Sequence, residues 1–195
     1  MVTLSRWTAV LIAAVAASCA SFRSDERALA GEAPRVDRAA SRSIEIVLVA
    51  SRIENGTSHA VPVARLAQMT ELSLSAYQQT GLFSRVSGVI DGADLRAEIS
   101  LRIEEQFVPL LVAMSGATLS AIPSWSTNRF TVRTVFKDRE GRVLGTYEEN
   151  AQVTLWIHAL LLPLTPFLFP AEVERGVQAD LHSFVIREAL RDGVL

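Results

Sequence analysis

Two adjacent glutamate pairs, three histidines and a single cysteine are the groups in this 195-residue chain whose types invite a chemical reading. Glu104-Glu105 and Glu148-Glu149 point toward a glycosidase, because two carboxylates flanking a glycosidic bond can serve as acid and base. Both pairs lie in stretches that read as strands, where neighbouring side chains point to opposite faces, so neither pair converges within itself. His59 follows a polar Asn55-Gly56-Thr57 loop, His158 sits in an apolar run, and His182 lies beside Leu181 in a helical stretch. They form no HExxH motif, and the chain has no CxxC, GxSxG or phosphate-cradling glycine loop. No metal or cofactor site is expected. A hydrolase using His158 or His182 is the remote alternative, and the stronger expectation is that the protein is not an enzyme.

The elements that would have to position these groups are read from periodicity. Residues 44–49 are β-branched and bounded by polar residues, a first strand. After Pro62, Val63, Leu66, Met69, Leu72 and Ala76 recur at helical spacing, with Gly81 placed as the cap. Residues 82–89 read as a strand and Asp91-Gly92 as a tight turn. Between Leu95 and Ile103 apolar residues alternate with Arg96, Glu98, Ser100 and Arg102, so one face meets a core and the other meets water. Residues 129–136 and 143–155 are two more strands joined by the hairpin Asp138-Arg139-Glu140-Gly141. A last helix from Pro170 to about Asp192 carries Val173, Val177, Leu181, Phe184 and Val185 on one stripe. The expected fold class is α+β: a two-layer sandwich whose mainly antiparallel sheet of four to five strands has two helices on one face.

The N-terminus has the anatomy of an export signal: Arg6, an apolar run over residues 10–17, then small residues before a cut. Ala16-Ala17-Ser18-Cys19 resembles the lipobox of bacterial lipoproteins, with Ala16 where Leu is the favoured residue. The resemblance implies that residues 1–18 are a signal peptide that is removed. It also implies that the Cys19 sulfur receives a diacylglycerol and that its freed amine is acylated, with palmitate as the expected chain. Two or three chains, at about 0.8 kcal/mol per buried methylene, make a stable membrane anchor where one is marginal. The alternative is an ordinary signal peptide cut after Ser18; a lone exported cysteine without an internal partner weighs against it. Ala20 follows the cysteine, where Asp is the usual inner-membrane retention signal, so the resemblance implies the periplasmic face of an outer membrane. Residues 19–41 are expected to be the lipidated N-terminus and a flexible tether, and residues 42–195 a single periplasmic domain.

The order of elements, with Thr80-Gly81-Leu82-Phe83-Ser84-Arg85-Val86 at the helix-to-strand corner, resembles small periplasmic α+β lipoproteins. The LPS-assembly and curli secretion lipoprotein families are of this kind; the likeness is topological and carries over no functional residue. Net charge is −2 and the cations are scattered, with Lys137 the one lysine, so nothing forms the basic footprint of a nucleic-acid binder.

Two apolar segments, residues 107–125 and 155–170, stand above the rest, each too interrupted by Pro or Gly to span a bilayer well. Connections normally run over the solvated surface. These either close the ends of the core or form an exposed patch against a membrane or partner. The expected contact residues are Phe107, Leu110, Leu111, Trp125, Trp156, Leu161, Leu162 and Phe167. If the first strand and the one after Gly81 run the same way and Asp91-Gly92 reverses the chain, both segments and the tether meet at one end. The functional expectation is a non-enzymatic, lipid-anchored envelope protein that acts as an adaptor for a membrane or periplasmic partner. A carrier or chaperone for a lipid or other apolar ligand, with its pocket between helices and sheet, is the alternative.

Overall fold

A computed structural model of the chain describes residues 19–23, 42–164 and 167–195, so the signal peptide and residues 24–41 of the expected tether lie outside the described residues. Among the described residues seven strands form one sheet: β1 (Cys19–Arg23), β2 (Arg42–Glu54), β3 (Thr57–His59), β4 (Phe83–Ser87), β5 (Leu95–Phe107), β6 (Ser124–Asp138) and β7 (Val143–Ile157). Their order is β1-β7-β6-β5-β2-β3, and β4 also pairs with β2. Among the described residues the helices are α1 (Val63–Gln78), α2 (Pro109–Ala117) and α3 (Pro170–Arg191), with a 3-10 turn over Ala159–Leu164.

The alternation read from Leu95 onward is the spine of the sheet. Leu95, Ala97, Ile99, Leu101 and Ile103 are all buried, and they meet Phe136, Val132 and Phe130 of β6 across the register. Met69 and Tyr77 of α1, with Val177, Leu181, Val185 and Ile186 of α3, close over this face. The opposite face carries Glu98, Ser100, Arg102, Arg129 and Arg133 and has no helix of α1 or α3 on it. The fold is thus the expected α+β class, with α1 and α3 on one side.

Its details differ. The sheet has seven strands rather than four or five, and it is mixed, because β2 runs parallel to both β4 and β5. A helix between β2 and β4 returns the chain, which makes that pair parallel as expected. The Asp91-Gly92 turn, however, does not reverse the chain into a hairpin. Residues 88–94 instead cross β2 and enter β5 in the same direction, with Asp94 accepting hydrogen bonds from the Ser43 N–H (2.8 Å) and hydroxyl (2.7 Å).

The Asp138–Arg142 turn does form the expected hairpin. Asp138 Oδ1 accepts the N–H groups of Glu140 and Arg142, and Gly141 takes a φ of 81° that a side chain would resist. Helix α3 is rotated slightly from its expected stripe: Gln178, His182, Ile186 and Ala189 are buried, while Phe184 is half-exposed. On α1, Val63 is exposed, and the buried line runs through Met69, Ser73 and Tyr77.

Cys19–Arg23, expected as the head of a flexible tether, is instead an edge strand antiparallel to β7, with Cys19 opposite Ile157. Three contacts fix it. The Ser21 N–H donates to the Leu168 carbonyl at 3.0 Å, Ala20 and Ser21 are buried, and Arg23 pairs with Asp180 of α3. An edge strand presents unpaired backbone to solvent, and the loop before α3 covers this one.

Candidate functional site

The glutamate pairs are split as strand geometry requires. Glu105 lies on the helix-covered side and accepts from Arg52 Nη2 at 2.9 Å, while Glu104 lies on the open side and pairs with Arg102. Across the β6–β7 register, Glu148 faces Arg133 and Glu149 faces Val132. The histidines do not meet. His59 Nε2 is 3.4 Å from Glu54 in the neighbouring strand, and His158 Nδ1 accepts the Leu160 N–H at 3.3 Å.

His182 is buried with Nε2 3.0 Å from Ser73 Oγ. Ser73 already gives its one hydroxyl proton to the Met69 carbonyl, so His182 Nε2 must be the donor and Nδ1 the unprotonated nitrogen. Burial pulls the imidazole down to about 4, so it stays neutral. Among the described residues no three of His, Cys, Asp or Glu gather closely enough to hold a metal ion.

One polar cluster is partly buried. Glu174 of α3 accepts from Arg65 Nη2 at 2.9 Å and from Asn128 Nδ2 at 3.1 Å, tying α3 to α1 and β6. Burial raises the Glu174 carboxyl, against the pull of the Arg65 guanidinium. The groove outside it, about 780 Å³ between the outer faces of α1 and α3, is lined by Arg65, Gln68, Glu71, Leu72, Ser75 and Arg175. Between helices and sheet, where the carrier reading requires a pocket, Tyr77, Phe130, Phe136, Ile99 and Leu101 fill the space.

The concentrated feature lies at one end of the sheet. Strand β5 ends there at Phe107, α2 follows, and β6 begins at Ser124. Strand β7 descends to the same end at Ile157 and leads into the 3-10 turn. The Ala159 N–H donates to the Ser120 carbonyl at 3.0 Å, joining the two segments. Cys19, opposite Ile157, lies at this end too. The first strand β2 runs toward this end rather than away from it, so the expected convergence is reached by a different path, through β1.

Of the expected contact residues, Leu110 is 68% and Phe167 83% exposed. Phe107, Leu111 and Leu161 are half-buried, and the Leu162 side chain lies outside the described ones. Trp125 and Trp156 are directly opposite each other on the open sheet face, with ring centroids 5.3 Å apart. Further exposed apolar side chains at the same end, beyond the expected contact residues, are Phe22, Val108, Met114, Leu119, Leu160 and Phe169. All but Phe22 fall in or beside the two apolar segments. Phe22 was hidden because its strand exists only through its distant partner.

Helix α2 explains why the first segment is not a loop. Pro109 starts it, where a missing N–H costs nothing, and Gly116 and Thr118 end it. Leu119 and Ser120 then both take left-handed backbone, φ 51° and 61°, held by the Ser120 N–H on the Ser115 carbonyl at 2.7 Å. Non-glycine residues pay for this conformation. The cost is met here to turn an apolar tip sharply back toward β6.

Charge is missing from the tip itself. From Phe107 to Asn128, and again from Asn150 to Ala171, there is no Asp, Glu, Lys or Arg. The other half of this end, beneath β2 and β3, is charged, with Arg52, Glu54 and His59. Burial pushes the Cys19 thiol up, away from the reactive thiolate. No helix among the described residues is long and apolar enough to cross a membrane.

No protein-family model matches the chain, and no curated protein matches it. Solved structures similar to it include a minor lipoprotein from Acinetobacter baumannii, with 15% identity, 80% of this chain and 92% of that chain covered, and a TM-score of 0.42. A DUF330 protein from Xanthomonas campestris shares 12% identity over 84% of this chain and 90% of that one, also at 0.42. A PelC dodecamer from Paraburkholderia phytofirmans shares 10% identity over 82% of this chain and 97% of that one, at 0.28.

Proposed function

We propose that the protein is a non-enzymatic, lipid-anchored component of the bacterial envelope. It sits on the periplasmic face of the outer membrane and acts as a binding or assembly adaptor. The observation that carries this reading is the position of Cys19. It is the first residue of a strand seated on β7, at the end where the exposed apolar side chains gather. Glu104, Glu105 and the three histidines, scattered and each with a local partner, support the non-enzymatic part. The packed space beneath the helices favours an adaptor over a carrier of apolar ligands.

Mass spectrometry of the N-terminal peptide tests the anchor. Cys19 carrying acyl chains with residues 1–18 gone is the expected result; a mature chain starting elsewhere, or a free Cys19 thiol, sinks it. Native mass spectrometry of the membrane-extracted protein separates the two roles. A co-purifying protein supports the adaptor, and a stoichiometric lipid held after Cys19→Ser would favour the carrier.

A further inference from the structure

We propose that the charge-free end formed by α2, the 3-10 turn and the Trp125–Trp156 pair inserts into the lipid bilayer, so that the domain is docked on the membrane in one orientation rather than swinging from it. This rests on the lipid-anchored reading and adds to it the occupant of the apolar surface.

The anchor leaves no slack. If the acyl chains are on Cys19, they emerge from the first residue of β1, whose backbone is fixed by β7, the Leu168 carbonyl and the Arg23–Asp180 pair. Hydrocarbon is therefore delivered to within one strand of Trp156, which lies across from Ala20. A bilayer is continuous with that anchor.

The side chains at this end are graded along the strand axis. At the tip stand Leu110, Leu119 and Leu160, all more than half exposed, on backbone that carries no charged residue. Above them on the open face come the paired indoles, with Phe22 close by on β1. Indoles favour the headgroup boundary. The first charge above Trp125 on β6 is Arg129, four residues on and about 13 Å higher by strand rise, and on β1 it is Arg23. Apolar tip, aromatic band, then charge is the order of a bilayer half. A protein interface would be expected to carry charged side chains at its rim for pairing, and the two segments offer none. The left-handed turn at Leu119 and Ser120 and the Ala159–Ser120 bond hold the tip in shape before any contact.

The test uses the acylated protein purified from membranes and reconstituted into phosphatidylcholine vesicles, with or without bromine on the acyl chains. After loss of Trp7 with the signal peptide, Trp125 and Trp156 are its only indoles. Most of their emission should be lost to the bromines. The double variant Leu110→Asp, Leu160→Asp, at two exposed sites, should recover it with an unchanged melting temperature. Emission indifferent to bromine in a protein whose Cys19 is acylated overturns the insertion and leaves the anchor standing. An unmodified Cys19 removes the anchored reading, and the insertion with it. A lowered melting temperature with quenching unchanged would assign these leucines to core closure and overturn the proposal. Indoles shielded from iodide in native membranes yet unquenched in brominated vesicles would mean an embedded protein occupies the surface, which also overturns it.

Discussion

Trp125 and Trp156 occupy one rung of the β6–β7 ladder with their ring planes 34° apart and their centroids at 5.3 Å. Tilted contact of this kind is worth about 0.5–1.5 kcal/mol beyond the area it buries. A double-mutant cycle with Trp125→Ala and Trp156→Ala should return a coupling of that size. Far-UV circular dichroism should show an exciton couplet that either single variant removes. Additive losses and an unchanged spectrum would mean the rings do not touch in solution.

The spine of the sheet predicts a sharp contrast between neighbours. Leu101 is 1% exposed between β2 and β6, so Leu101→Ala should cost about 2–5 kcal/mol. Arg102 points to the open face and reaches Glu104 in an exposed pair, so Arg102→Ala should stay within about 0.5 kcal/mol. Equal losses in urea denaturation would place β5 in a different register.

His182 predicts a pH dependence of stability. Its folded pKa is held down at about 4 by burial, below the ordinary 6.5. Above 6.5 the ring is neutral in both states and nothing is lost. As pH falls from 6.5 toward 4 the unfolded chain takes up a proton that the folded one refuses. Stability should drop by about 3 kcal/mol over that window. The partly buried Glu174 carboxyl, raised, works the other way, so the clean measurement is the difference between wild type and His182→Phe. The gap in unfolding free energy between them should shift in favour of the variant between pH 7 and pH 4; a constant gap would show a solvated ring.

Strand β1 predicts protection where a tether would exchange freely. Amides of residues 20–23 should exchange slowly in hydrogen–deuterium exchange. Asp180→Asn, which leaves Arg23 without its carboxylate on α3, should speed them while leaving β5 and β6 unchanged. Fast exchange in the wild type would return this segment to the tether.

Elements whose signal is local were legible in the sequence. The alternation from Leu95 to Ile103, the Asp138–Gly141 hairpin and α3 each carry their own periodicity or turn chemistry, and each is present. Strand β1 was not legible, because Cys-Ala-Ser-Phe-Arg has no alternation to distinguish it from a linker, and its strand is made by β7 far along the chain. Helix α2 was missed because Pro-Leu-Leu-Val-Ala-Met lacks a polar face, and without one a helical period leaves no trace. The direction of β5 failed for a related reason: a Gly turn announces a bend but not whether the next strand pairs with the previous one. At the apolar end, residue type marked out the two segments, whereas the β6–β7 register that pairs the indoles appears only when the strands are assembled.

The partnership of the first described strand with the last has a consequence for how the protein comes into being. Strands β5, β6 and β7 follow one another through a short hairpin and one helical connection and can assemble from nearby segments, whereas β1 waits for a partner made far along the chain. If Cys19 carries the lipid proposed above and the chain is exported from its N-terminus, the anchored residue arrives first and its strand pairs only after β7 has been made. On that reading a chain stopped before β7 would be held by an unpaired segment open to proteases. On the same reading, only a chain that has made β7, Leu168 and Asp180 can seat β1, so pairing of the first described strand reports that the sheet is complete.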